Sequence, residues 1–247
     1  MTRSPGFRSV QDRYFTAADV ARFRWMTEDP AFAPVEDALL GPWIADLAFP
    51  CLEVGCGEGS NLVRLARRGP CVGMDLYPER ARFAAGVVPG TPVTVGDACR
   101  LPFADGAFLS VLIRDLLHHL PEPRLALAEA ARVLRPGGSL LLLEPNGRNP
   151  FNALQARLIA AEAGVRSSTP ERLTGLFAGL PLDPPRLDMT QGFPLRRLAL
   201  HYRFGAPILG RTRLAAAAFG GIERVGERLT PRRRWSYVVL RARRATG

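Results

Sequence analysis

The chain contains no lysine; all 33 of its cationic side chains are arginine. That bias reflects genome composition rather than physics, so charge is read from where the arginines fall. No apolar run approaches the ~18 residues that cross a bilayer, which excludes a membrane-spanning helix. The four cysteines, at positions 51, 56, 71 and 99, form no CxxC pair. A disulfide framework is not indicated, and buried reduced thiols are expected. Histidine is scarce, with three in 247 residues. No metal-ligating cluster stands at a recognisable spacing, so metal independence is expected. No internal repeat or low-complexity linker interrupts the chain. The opening stretch MTRSPGFRSVQDRYF lacks a long apolar segment. It does not read as a secretory leader, and a cytoplasmic protein is expected.

What is present is enough for one large α/β domain, alone or with an added cap: 247 residues, 47% of them hydrophobic. The net charge of +10 is unevenly placed. Residues 1–50 carry −2, residues 51–145 carry 0, and residues 146–247 carry +12, with 18 Arg against 6 acids. The whole excess lies in the C-terminal part. Such a surface can attract anionic lipid, an acidic carrier protein or nucleic acid, or can simply be a solvated face.

Residues 1–48 have helical apolar spacing, interrupted by prolines. From position 51 the rhythm becomes strand, loop, helix. Strands are expected at 51–54, 71–76, 92–95, 108–113 and 139–144, with helices at 61–68, 78–85 and 123–134. Pro136-Gly137-Gly138 reads as a turn before the fifth strand. Strands alternating with helices of about ten residues imply βαβ units and a parallel sheet. The runs VLI and LLLL are continuously apolar, as expected of strands covered on both faces. Further on, 152–163 and 170–180 read as helices, 186–190 as a strand and 235–241, WSYVVLR, as a final strand. Residues 194–229 read as helical, with Pro207 and Gly220-Gly221 as breaks.

The stretch CLEVGCGEGS places glycine at every second position after an apolar strand: Gly55, Gly57 and Gly59, preceded by Glu53. In an open parallel sheet the first strand-to-helix turn is the usual ligand contact. Glycine there permits positive φ and lets a ligand approach the backbone. The spacing is G-x-G-x-G, not the G-x-G-x-x-G of dinucleotide folds, which counts against a nicotinamide dehydrogenase. Asp75 ends the second strand about twenty residues later. Its carboxylate can accept hydrogen bonds from both hydroxyls of a ribose, or can cap the following helix. Asp97 ends the third strand in GDACRLPF. It can accept from an adenine amino group, with the Ala98 amide donating to the ring, or can serve the turn after Gly96.

The sequence resembles the class I S-adenosylmethionine-dependent methyltransferases. The motifs that carry the resemblance are LEVGCGEGS, GMDLYPE, GDACRLPF, LLHHLPEP and ARVLRPGGSLLLLEPN, from position 51 to 146. The resemblance implies a Rossmann-like, doubly wound, seven-stranded sheet whose last strand is antiparallel, with N-terminal helices and a helical insertion before that strand. It implies S-adenosylmethionine as cofactor, with Glu53 and Gly55 at the methionine moiety and Asp75 at the ribose. It also implies Asp97 at the adenine, Leu76 against its face and Arg114 near the methionine part. One departure is Leu109, where the family often has Asp after the aromatic that opens strand four. The resulting division is residues 1–48 as a helical lid, 49–193 as the cofactor-binding core, 194–230 as a substrate cap, and 231–247 as the final strand and basic tail.

Methyl transfer from a sulfonium is an in-line displacement in which the protein supplies position and electrostatics. A hydroxyl nucleophile also needs a base. His118 and His119 follow strand four beside the reactive end, and either can take a proton or merely cap and pack. Glu144, at the end of strand five, can meet substrate, orient a histidine or anchor a loop. His201-Tyr202 can reach the site from the insertion. Tyr14-Phe15 can close over the cofactor or pack in the core. The expected acceptor is small and apolar, of polyketide, quinone or lipid type, methylated on oxygen or carbon. The Arg-rich C-terminal part can add a peripheral membrane or carrier-protein contact. An RNA or protein methyltransferase, and a non-catalytic cofactor-binding scaffold, are the alternatives. Against the first stand the missing N/D-P-P-Y/F signature, with RDLLHH in its place, and the lack of aromatic-basic interleaving.

Overall fold

The computed structural model describes residues 5–203, 205–206, 208–209 and 212–246. Three N-terminal helices, α1 (Pro5–Phe15), α2 (Val20–Thr27) and α3 (Ala33–Ile44), precede the sheet. The alternating core follows as β1 (Cys51–Val54), α4 (Leu62–Ala66), β2 (Cys71–Asp75), α5 (Pro78–Val87), β3 (Val93–Val95), β4 (Phe108–Arg114), α6 (Pro123–Val133) and β5 (Leu134–Pro145). Then come α7 (Pro150–Leu158), α8 (Pro170–Gly175), β6 (Arg186–Thr190), α9 (Leu195–Ala199), α10 (Arg213–Leu229) and β7 (Tyr237–Arg243).

The strand order is β3-β2-β1-β4-β5-β7-β6. β1 to β5 pair in parallel, and β7 runs antiparallel between β5 and β6. The chain winds outward from β1 on both sides. That reversal opens a crevice beyond the carboxyl ends of β1 and β4, the general ligand site of such sheets.

Alternate side chains of the strands feed two cores. Leu52, Val54, Val111, Ile113, Leu140 and Leu142 face the α6 side with Ala126, Leu127 and Ala130. Cys51, Cys71, Leu112, Leu141 and Leu143 face the opposite side with Leu39, Leu40, Leu62 and Leu65. Cys51, Cys56 and Cys71 are free and buried, while Cys99 is partly exposed. Gly73 of β2 lets α4 close on the sheet: a Cβ there would stand 2.4 Å from Leu62 Cδ1 and 3.1 Å from Cys56 Sγ. Leu62 is fully buried. Gly73→Ala is therefore expected to cost about 1–3 kcal/mol as an overpacked core, read as a lowered denaturation midpoint with an unchanged m-value.

The later elements differ from expectation in four places. The Pro136-Gly137-Gly138 stretch does not precede β5 but lies inside it, where the β4 pairing shifts register between Phe108 and Ser110. The expected helix at 152–163 ends at Leu158, and a 3-10 segment, Ala160–Ser167, takes over. The expected helix at 170–180 stops at Gly175. Gly220-Gly221 does not break α10. Two interior glycines cost roughly 1 kcal/mol each relative to Ala, and here the run of alanines before them and the Thr212 N-cap, whose hydroxyl accepts from the Ala215 amide at 3.2 Å, hold the helix. Pro207, the other expected break, lies outside the described residues.

Candidate functional site

A cavity of about 770 Å³ lies beyond the carboxyl ends of β1, β2 and β4. Its floor is the turn after β1. Gly55, Gly57 and Gly59 hold φ of 76°, 55° and 85°, a region that disfavours side chains. Gly55 and Gly57 line the cavity. Gly59 does not: it faces α5, where a Cβ would come 3.2 Å from Ala84 Cβ, so its role is helix packing rather than ligand contact.

Asp75 fixes the turn from below. Its Oδ2 accepts from the Gly57 amide at 2.8 Å and its Oδ1 from the Tyr77 amide at 3.0 Å. Leu76, 46% exposed, presents an apolar face to the cavity, beside Asp97 and Ala98. The Asp97 carboxylate accepts from the Cys99 amide at 2.8 Å. Asp75, Leu76, Asp97, Ala98, Gly55 and Gly57 thus all line the one cavity.

Glu53 stands differently from what the resemblance implies, Arg114 is committed to other partners, and Glu144 takes two of the roles expected of it. Glu53 is buried and does not line the cavity. One of its oxygens accepts from Asn61 Nδ2 at 2.6 Å, and the other has no hydrogen-bond partner. Burial pushes its pKa up to about 8, against the Asn61 hydrogen bond. Asn61 is the residue that reaches the cavity in its place. Arg114 borders the cavity, but its guanidinium is committed elsewhere. It donates to Glu36 at 2.6 Å and to Asn61 Oδ1 at 3.0 Å, and stands 3.4 Å from Asp115. Glu144 is fully buried and outside the cavity. It accepts from the Leu116 and Leu117 amides at 2.8 Å each and meets His118 Nδ1 at 2.6 Å. It anchors the loop and orients His118; it is a positioning residue, not one that touches substrate.

The two adjacent histidines have opposite environments. His118 is held between two carboxylates, Glu144 at Nδ1 and Glu162 at Nε2, 3.3 Å away. Burial opposes its charge, but Glu144 and then Glu162 outweigh burial and raise its pKa to about 10. The two carboxylates favour the imidazolium form of His118, which has no lone pair with which to take a proton, so of the two candidate bases His119 is the better placed. Glu162 is correspondingly held down to about 2: burial opposes its charge, and His118 and His119 favour it. His119 is half-buried, with Nδ1 3.2 Å from the Ala161 carbonyl. Burial and the neighbouring His118 cation drive its pKa well below the usual histidine value. Donation from Nδ1 to Ala161 fixes the tautomer and leaves Nε2 as the lone-pair nitrogen. The nearest ligand-type atoms of His118, His119 and Glu162 lie within 4.8 Å of one another. The sequence showed no such cluster, because Glu162 arrives from the 3-10 segment after α7.

Residues of α1 and α2, and of 194–203 before α10, also line the cavity. Phe15 lies edge-on to His119 with ring centroids 4.8 Å apart. Arg80 and Arg22 pair with Glu58 at 2.8 and 3.8 Å. Trp25 Nε1 donates to the Leu200 carbonyl at 2.8 Å, and Tyr202 donates to Asp19 at 2.5 Å. His201, Tyr202, Arg197 and Leu198 border the cavity, but α10 does not. Asp115 holds φ of 52°, an uncommon value for a non-glycine residue, at the edge of the site. The sequence reading passed over Asn61, Glu36, Glu58, Asp115 and Glu162. Only Glu162 carried a signal, as a lone acid within the apolar run AAEAGV.

The profile of the family described as Methyltransferase domain (Methyltransf_11) matches residues 52–142. A demethylmenaquinone methyltransferase of Mycolicibacterium vanbaalenii is 34% identical over 147 residues, 56% of this chain and 63% of that protein. An uncharacterised 37.1 kDa transposon protein of Streptomyces fradiae is 39% identical over 102 residues, 38% of this chain and 30% of that protein. The chain spans less than two thirds of either relative's length. A geranyl diphosphate C-methyltransferase of Streptomyces coelicolor superposes with a TM-score of 0.61 at 16% identity, covering 99% of this chain and 100% of that one. That last likeness is one of fold alone.

Proposed function

We propose that this chain transfers a methyl group from S-adenosylmethionine to a small apolar acceptor, on the premise that residues 52–142 are a class I methyltransferase domain. The observation that carries the reading is the single wall made by the glycine turn, Asp75, Leu76 and Asp97. These residues fit an adenosyl group. The turn admits a ligand against its backbone, and Leu76 leaves an apolar face open. When bound, S-adenosylmethionine supplies an electrophilic methyl on sulfur.

The chain's own residues then hold and deprotonate the acceptor. Trp25, Met26, Phe151, Ile159, Val165 and Leu198 give the cavity apolar lining that suits a hydrocarbon or aromatic body. The lining also excludes water, which strengthens electrostatic contacts within the cavity. His119 Nε2 is the candidate base for an acidic O–H or C–H. The His118 imidazolium, pinned by Glu144, sets a fixed positive charge beside it. A quinone-type or prenyl-type acceptor is the finer reading, supported by the names of the relatives. Contact of the basic C-terminal part with a membrane or an acidic carrier protein belongs to the same reading, since either would deliver an apolar acceptor.

The test is methyl transfer from isotopically labelled S-adenosylmethionine to a demethylated prenyl naphthoquinol and to geranyl diphosphate, read by mass spectrometry. A singly methylated product is expected with the quinol. His119→Gln is expected to lower kcat by about 10²–10⁴-fold, the range for a general base, while the affinity for S-adenosylhomocysteine changes little. Tight cofactor binding with no transfer to either acceptor would favour the scaffold reading. An unchanged kcat in His119→Gln would remove that residue from the chemistry.

A further inference from the structure

The side of α10 turned away from the sheet is an unpartnered apolar stripe. Leu214, Ala218, Ile222, Val225 and Leu229 follow at spacings of four, four, three and four, one face of a helix. Leu214 is 83% exposed and Leu229 78%, with Val225 and Ile222 more than half exposed. The opposite side is docked. Glu223 pairs with Arg196 at 2.6 Å, and Gly226 sits so close to Phe193 that a Cβ would come within 2.5 Å of its ring. The stripe is therefore a fixed feature of the surface.

Cations border it. Arg224 and Arg228 are exposed on α10 beside the stripe. Leu229 leads through Thr230 and Pro231 into Arg232, Arg233 and Arg234, and Arg148, Arg233 and Arg234 line one surface cleft. Arg148 and Arg232 have acidic partners, Glu171 at 2.8 Å and Asp188 at 2.9 Å. Among the described residues no carboxylate lies within ion-pair distance of Arg233 or Arg234.

We propose that α10 lies in the plane of an anionic lipid surface, with its aliphatic stripe in the acyl boundary and the Arg148–Arg233–Arg234 cleft on lipid phosphate. An aliphatic stripe with arginines along its edge is the pattern of an interfacial helix. No helix among the described residues is long and apolar enough to cross a membrane, so α10 lies on the surface rather than spanning it. A second copy of the chain is a poorer occupant, because isologous stacking of α10 would bring Arg224 and Arg228 of both copies together. A nucleic acid is also poorer: the stripe is aliphatic and offers no ring on which a base would stack. This surface is separate from the cavity, and the proposal stands whether or not the chain transfers methyl groups.

The test is co-sedimentation of the full chain with phosphatidylcholine vesicles and with vesicles that also contain phosphatidylglycerol. Wild type is expected to partition at least about tenfold more strongly onto the anionic vesicles, with a dependence on salt. Changing Leu214, Ile222, Val225 and Leu229 together to Gln is expected to lower that partitioning by about tenfold or more. The melting temperature and S-adenosylhomocysteine affinity of that variant should be unchanged. Arg233→Gln with Arg234→Gln is expected to flatten the salt dependence while leaving weak binding. Failure of wild type to pellet with either vesicle would overturn the proposal, as would full binding by the four-Gln variant. So would a wild-type dimer that the four-Gln variant turns into a monomer, or preferential binding to RNA.

Discussion

Asp75→Ala is expected to remove nearly all the stabilisation that S-adenosylhomocysteine gives the wild-type chain. The carboxylate has two tasks. It accepts from the Gly57 and Tyr77 amides and so sets the turn, and under the proposed function it would also accept from the ribose hydroxyls. Hydrogen bonds to a charged group are worth about 1.5–3 kcal/mol each. Loss of the ribose contacts alone should therefore raise Kd by roughly 100-fold. At a ligand concentration of about 100 times the wild-type Kd, the wild type gains about 2.7 kcal/mol. Under the same conditions the variant gains only about 0.4 kcal/mol. For a chain of this length the difference is on the order of 5–10 °C in melting temperature. The ligand-free melting temperature of the variant separates a disturbed turn from a lost ribose contact. Asp75→Asn keeps one acceptor oxygen and should fall between the two. A full ligand shift in Asp75→Ala would refute the assignment of the ribose subsite. A shift with NAD in place of the sulfur nucleoside would return the dehydrogenase reading.

The same experiment bears on how much of the site could be read from the sequence. The sheet was legible because its strands are continuous apolar runs separated by helices of even length, a pattern with few packing solutions. The meeting of the glycine turn, Asp75, Leu76 and Asp97 at one cavity was legible because each stands at or just after the end of a strand, and strand ends in such sheets meet at one crevice. The reactive end was not legible. Its residues are defined by partners far away in the chain. Glu36 reaches Arg114 across 78 positions, and Glu162 reaches His118 across 44. Nothing local in RDLLHH tells which histidine is charged. That depends on Glu144 and on a 3-10 segment whose start at Ala160 no sequence signal marks. The resemblance implies that Arg114 lies near the methionine part, and Arg114 does border the cavity. Its guanidinium is also spent on a buried ion pair, and a single chain position cannot say which of two nearby anions a guanidinium will choose.

That ion pair carries the largest expected effect on stability. Glu36 and Arg114 are both buried, with side chains 0% and 1% exposed. Glu36 also pairs with Arg197 from α9, so one carboxylate of α3 ties the end of β4 to the insertion. Burial alone would raise the pKa of Glu36, but Arg114 and Arg197 overcome it and hold the group at about 2. A depressed carboxylate stabilises the fold at every pH above its unfolded value near 4.5, and that contribution fades as pH falls toward about 2. Removing one member of a buried pair leaves the other charge without compensation, at a cost of about 3–5 kcal/mol. Glu36→Ala should thus lower the melting temperature by on the order of 10 °C at pH 7. It should also flatten the loss of wild-type stability between pH 4.5 and 2. Replacing both partners, Glu36→Leu with Arg114→Met, removes the uncompensated charge and should recover much of the loss, since an apolar substitute for a buried pair is often neutral. If the double variant were as unstable as Glu36→Ala, packing at α3 rather than the stranded Arg114 charge would be the cause. If Glu36→Ala melted within a degree of wild type, Asp115, 3.4 Å from Arg114, would be its sufficient partner.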